Sequence, residues 1–265
     1  MHTWHWQTWD NLPYLTCSLL EPWHHGFFTS AFSPRPPDQI VEALQPEATV
    51  YRVRQVHGNT VLTPSEFITI GAVGQGENQT PEKPAADGIF TEKPQQAVWV
   101  CTADCTPVLI GDEKTGRVAA IHAGWRGTAT RIVPNTIARF LEVGSRLENL
   151  RVAMGPAIAP EVYQVSETVA IEVGSTIIPK DKTNTPESIL DELQQLPHSP
   201  IFDDPHPGRV RLDVRRVNAI QLEQLGLDHE QVAIASHCTY QQPEYFFSYR
   251  RTQQKNVQWS GIVSN

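Results

Sequence analysis

Residues 97–125, AVWVCTADCTPVLIGDEKTGRVAAIHAGW, constrain the fold more than any other part of the chain. Two apolar, β-rich segments flank a short polar turn, GDEKTG, and read as two strands joined by that turn. The first, AVWVCTADCTPVLIG, is the most apolar run in the sequence, yet Asp104 interrupts it and it falls short of a membrane span. Elsewhere strands and helices mix. Residues 51–61 alternate and are expected to form a strand running into a turn at Gly58 and Asn59. DQIVEAL should be a short helix capped by Asp38, and residues 128–143 a helix with Pro134 near its start or at a kink. SETVAIEVGSTI and LDVRRVNAIQLEQLGL should be helices capped by Ser166 and Asp213. Without regular βαβ alternation, this pattern predicts a layered α/β (α+β) fold, mixed β-sheets with flanking helices.

The length, 265 residues, suits one domain able to bury a substantial core. Residues 71–86 read as a polar loop. Residues 180–208 are polar and Pro-rich, with a short helix at SILDELQQL, and read as a surface insertion. A net charge of -8 lacks the basic footprint of a nucleic-acid binder. The start, MHTWHWQTWDNL, has neither the basic end nor the apolar run of a signal peptide, so a cytoplasmic protein with no membrane association is expected. In that compartment Cys17, Cys101, Cys105 and Cys238 are not a disulfide framework.

Three short segments bear the chemistry: QVHGN, TADCTP and IHAGWRGT. Each is expected to end a strand with a His or Cys beside small or turn-forming residues, a rigid mount that faces an opening. Two imidazoles and a thiolate, His57, Cys105 and His122, suit zinc. Three protein ligands leave a fourth position for water, the mark of a catalytic rather than a structural site. Sequence spacing alone leaves an ordinary core cysteine and turn histidines as the competing reading. Gly124, Gly127 and Thr128 lie where a strand passes into a helix, so backbone N–H groups and the Arg126 guanidinium there are expected to hold an anion. Asp87 either orients a ligand or caps a turn. Asp104 should face away from Cys105 if the strand is regular, and Cys101 should be core. Phe246, Phe247, Tyr249 and Arg250 read as a packing strand that could stack on a flat base. The pair His24 and His25, and His198 and His206, read as surface loop. No Walker A loop, HExxH or GxSxG motif is present.

QVHGN, ADG with its following threonine, ADCTPVLIGD, HAGWRGT, MGPAI and FSYRR occur in one order in a single family. From about Tyr51 onward the chain resembles the purine nucleoside phosphorylase family formerly called polyphenol oxidase or laccase-domain proteins. The resemblance implies a single α/β domain related to the bacterial cytotoxic-factor cysteine deamidase fold. It implies zinc, with copper as the substitute, on His57, Cys105 and His122. It implies phosphorolysis of adenosine, inosine, guanosine and methylthioadenosine, and deamination of adenosine. Cys105, His122 and Arg126 would then be catalytic, with Arg126, Gly127 and Arg250 binding nucleoside and phosphate. Residues 1–50 diverge: Ser30 stands where the family has arginine, a role Arg52 or Arg54 would have to take over. APEVYQV lacks the family's cysteines. Two alternatives remain at this stage, a cysteine-type hydrolase of a cell-wall precursor with Cys105 as nucleophile and His122 as base, and a copper-dependent phenol oxidase. A non-enzymatic binding module is the bland alternative.

Overall fold

The computed structural model describes residues 2–67, 83–179 and 185–265. Most of the loop expected over residues 71–86 lies outside them, as do the first residues of the expected insertion. The strands form three sheets. The first contains, in spatial order, β1 (Trp4–Trp9), β2 (Leu12–Cys17), β3 (His25–Phe28), β15 (Gln258–Val263), β7 (Gln96–Thr102) and β4 (Thr49–Arg52). The second contains β14 (Val232–Ile234), β10 (Leu150–Met154), β8 (Thr106–Asp112), β9 (Val118–Ala123), β6 (Gly88–Phe90) and β5 (Val61–Leu62). A small third sheet holds β11 (Gln164–Ser166), β13 (Arg209–Leu212) and β12 (Ile201–Asp203).

The alternation of side chains along each strand explains the layering. Leu15, Phe27, Val98, Val100 and Ile262 of the first sheet meet Ile89, Leu109, Ala120 and Ala153 of the second in one buried core. The opposite faces are also covered, which is why both segments of the 97–125 stretch are apolar throughout. Trp99 and Phe28 pack outward against Phe32, Ile40 and Val41 around the short helix α1 (Pro37–Ile40). Val108, Ile110, Ala119 and Ile121 face helices placed after α2 (Trp125–Ala129), namely α3 (Ile132–Glu142) and, further along the chain, Ala219 and Leu222. The third sheet makes its own core with α4 (Glu167–Gly174), α5 (Pro186–Gln195) and α6 (Val214–Leu225). A last short helix, α7, spans Tyr249–Thr252. Among the described residues no helix is long and apolar enough to cross a membrane.

Several sequence expectations change. The apolar run is not one strand: Asp104 adopts a left-handed φ of 90°, and the chain passes there from the first sheet to the second. The helix expected over residues 128–143 is two, divided at Arg131 (φ 60°), with Pro134 in the first turn of α3 where its missing N–H costs little. Asp38 lies inside the first turn of α1, whose cap is Pro36. Ser166 and Asp213 do cap their helices, accepting from Val169 and Arg216 N–H. Most described residues of the stretch 185–208 are exposed, and Leu193 and Ile201 anchor it to the third core.

Candidate metal centre

Both connections that cross from the first sheet to the second deliver a ligand. The β4–β5 connection places His57, and the β7–β8 connection places Cys105 immediately before β8. His122 is the penultimate residue of β9, paired in register with Pro107 of β8. Only His122 therefore ends a strand as expected. The ligand atoms of His57, Cys105 and His122 all lie within 4.8 Å of one another, and among the described residues no other such group occurs.

Asp87 organises this cluster. It is fully buried, a costly place for a carboxylate unless every lone pair is used. Its Oδ1 accepts from the His57 backbone N–H at 2.9 Å, and its Oδ2 from Gly58 and Val56 N–H at 2.7 and 3.2 Å. The same carboxylate thereby pins His57 in its left-handed conformation (φ 62°). His122 Nδ1 donates to Asp87 Oδ1 at 2.8 Å, and the His122 backbone N–H donates to the Asp87 carbonyl at 2.8 Å. That contact fixes the ring and its tautomer and leaves Nε2 available, as metal-binding histidines require. Asp87 thus does both things the sequence left open. Burial works against its charge, but the His122 ring and the backbone donors hold the carboxyl below its usual range.

Cys105 and His122 favour each other's charged forms. Burial opposes a thiolate at Cys105, yet His122 and His57 beside it bring the thiol down to about 6. Burial likewise opposes charge on His122, which Cys105 and Asp87 nevertheless raise to about 9. The His57 and His122 rings stand edge to face with centroids 4.8 Å apart. Gly124 is demanded by close approach: a Cβ there would lie 2.8 Å from Cys105 Sγ. A Cβ on Gly127 would lie 3.1 Å from the Gly58 carbonyl, so the loop carrying His57 rests on α2.

Around the cluster, Asp104 does not face away. Its carboxylate accepts from Thr239 Oγ1 and the Arg250 backbone N–H, each at 2.7 Å, and ties the turn before Cys105 to the C-terminal segment. Cys101 is partly exposed rather than core; its backbone is clamped by the Gln55 amide, and burial pushes its thiol up to about 11. A narrow cleft at Cys105 is lined by Ala123, Trp125, Ile158, Tyr163 and Val214 among others. Arg126 is exposed and lies over the Trp125 ring at 4.4 Å. Arg250 lies over the Tyr163 ring at 4.9 Å and donates to the Gln164 carbonyl. The expected strand at Phe246 is instead a buried Phe246 followed by α7. Sequence reasoning overlooked Tyr163 and Trp125, which no spacing rule distinguishes from packing aromatics. It also misplaced His25, which is buried, accepting from Cys17 N–H and donating to the Trp23 carbonyl. His206 lies on an exposed loop as expected, where it meets Asp204 and Gln164.

A family model described as multi-copper polyphenol oxidoreductase laccase matches residues 37–264. A protein of Synechocystis sp. named "Purine nucleoside phosphorylase slr1573" is 54% identical, over 98% of this chain and 97% of that one. One of Mycobacterium bovis, also named a purine nucleoside phosphorylase, is 30% identical over 78% of this chain and 68% of its own. The crystal structure of YlmD from Geobacillus stearothermophilus shares the fold, with a TM-score of 0.78 at 22% identity and 98% coverage of each chain.

Proposed function

This chain belongs to the multi-copper polyphenol oxidoreductase laccase family, and from that premise we propose that it is a zinc-dependent purine nucleoside phosphorylase that also deaminates adenosine. The single observation that supports the reading most is the convergence of His57, Cys105 and His122 beside a buried Asp87. Two imidazole nitrogens and a thiolate are a zinc donor set, with an Asp87-oriented histidine among them. An ion held there would supply Lewis acidity and a nucleophile available near neutral pH. Copper takes the same donors by its higher intrinsic affinity. One three-ligand group cannot hold a multicopper cluster, so phenol oxidation is the less favoured activity. Relatives named purine nucleoside phosphorylase support a purine nucleoside and phosphate as the substrates, and in our reading the nucleoside is adenosine, inosine, guanosine or methylthioadenosine.

The chain's own residues have distinct tasks in this reading. Asp87 holds a proton on His122 Nδ1 and so leaves Nε2 as the nitrogen that would hold the ion. The exposed Arg126 guanidinium and the α2 backbone at Gly127 hold phosphate beside the reacting ribose carbon. Arg250, anchored by Asp104 and Gln164, holds the nucleoside. Residues 1–265 act as one domain, in the cytoplasm. Purified protein given adenosine and phosphate should release adenine and ribose 1-phosphate. Cys105→Ala and His122→Ala should each abolish turnover and lose bound zinc on elemental analysis. Metal-loaded protein that forms no product from any purine nucleoside removes the reading.

One observation favours a second reading. In metal-free protein, Cys105 with a thiol near 6, His122 and Asp87 form a nucleophile, base and orienting carboxylate. A cysteine-type hydrolase predicts that iodoacetamide labels Cys105 of stripped protein at a rate rising through about pH 6. It also predicts that adding zinc leaves amide hydrolysis intact. Zinc that suppresses both labelling and hydrolysis favours the phosphorylase.

A further inference from the structure

The cleft at Cys105 is walled by two aromatic residues from distant parts of the chain, Trp125 at the start of α2 and Tyr163 just before β11. Both are partly buried against the third core, and among the described residues no ring contact joins them. Each has a guanidinium over its ring, Arg126 at 4.4 Å and Arg250 at 4.9 Å. Neither arginine lines the cleft itself, and neither pairs with a carboxylate among the described residues. Ala123, Ile158 and Val214 make the rest of the lining mainly apolar, with Asp104 and Thr106 its polar members beside Cys105. Such a slot suits a flat, uncharged ring system. It does not suit a phosphate, which belongs outside the cleft at the exposed Arg126 guanidinium. A cation held over one face of an aromatic ring makes the other face a better partner for an electron-rich heterocycle.

Tyr163 is well fixed for this task. Its backbone N–H donates to the Pro160 carbonyl, and its own carbonyl accepts from Leu212 N–H, which ties it to β13.

We infer that Tyr163 and Trp125 are specificity-determining residues that hold the flat base of the substrate in the slot beside Cys105. This rests on the nucleoside reading above, and it explains selection for a planar heterocycle. The rings supply a surface and the arginines behind them supply polarisation. The hydroxyl of Tyr163 is not required.

The test is calorimetric binding of free adenine to zinc-loaded protein, together with the KM for adenosine at saturating phosphate. Adenine should bind the wild type and Tyr163→Phe within about threefold of each other. It should bind Tyr163→Leu at least about tenfold more weakly, the scale of losing one base-stacking partner. KM for adenosine should rise in parallel, while KM for phosphate and zinc content stay unchanged. Trp125→Leu should behave alike, which covers a failure of Tyr163→Leu to fold. Adenine that does not bind the wild type, or that binds both leucine variants as well as the wild type, overturns the inference. Adenine binding with no ribose 1-phosphate formed overturns the phosphorylase reading and leaves the slot standing. Turnover with unchanged KM in the leucine variants does the reverse.

Discussion

At the scale of single residues, buried polar groups decide what the protein tolerates. Asp87 serves four donors at once, three backbone and one imidazole. Asp87→Asn keeps the size but loses the charge and half the acceptor capacity. Zinc affinity should fall about 10- to 100-fold, read by competition with a chromogenic chelator. His25 makes a different prediction. Burial lowers its imidazole from 6.5 to about 4, against a weaker opposing effect of the Trp23 carbonyl. Its Nε2 accepts from Cys17 N–H at 2.8 Å, so a second ring proton has no place. The folded ring therefore stays neutral down to about pH 4, whereas the unfolded one is protonated below 6.5. Unfolding takes up a proton inside that window, and stability declines as pH falls through it, by up to about 3 kcal/mol. Denaturant titrations between pH 7 and 4 should show that decline in the wild type. His25→Ala, less stable at neutral pH, should show a slope smaller by one proton. His25 also marks a limit of reading residues singly. As half of a His–His pair it resembles a surface tag, and only the antiparallel pairing of β2 with β3 brings Cys17 N–H to it.

At the scale of elements, local signals were legible and handovers between layers were not. Ser166 and Asp213 mark their helices because a cap needs nothing beyond three residues of chain. The β8–β9 hairpin is equally local, since GDEKTG has turn composition and its flanks are apolar. The break at Asp104 is invisible to hydrophobic patterning: β7 and β8 are both covered on two faces, so the apolar run continues through it. The metal donors themselves were recognisable from three short motifs, but the tie of Asp104 to Thr239 and Arg250 depends on pairings more than 100 residues apart in sequence, and so does the assembly of the cleft from Cys105, Trp125, Tyr163 and Val214. The five-residue helix α2 has too few turns to persist alone. It is held by α6: Asn218 Nδ2 donates to Thr128 Oγ1 at 3.0 Å, and Gln221 Nε2 donates to the Thr128 carbonyl at 3.1 Å. Thr128→Val removes the hydroxyl from a fully buried position. It should cost about 1 to 3 kcal/mol in a denaturant titration and loosen Gly124 against Cys105, which zinc retention on dialysis would register.

At the scale of the whole molecule, an ion bound by His57, Cys105 and His122 staples two sheets at their crossing points, so occupancy and folding are linked. A ligand that binds only the folded state adds RT ln(1 + [L]/Kd), about 4 kcal/mol at a thousandfold excess over Kd. Stripping zinc should lower the melting midpoint by several degrees in differential scanning calorimetry. Cys105→Ala, with the staple already gone, should show no further drop on chelation. The order of strands in the first sheet has its own consequence. β15 lies between β3 and β7, antiparallel to both, although it comes some 150 residues after β7 in the chain. A nascent polypeptide emerging from the ribosome has therefore made every metal donor long before the strip of backbone that joins their two half-sheets exists. Until translation delivers that strip, the edges of β3 and β7 stay bare and sticky, a hazard that trigger-type holdases are suited to shield.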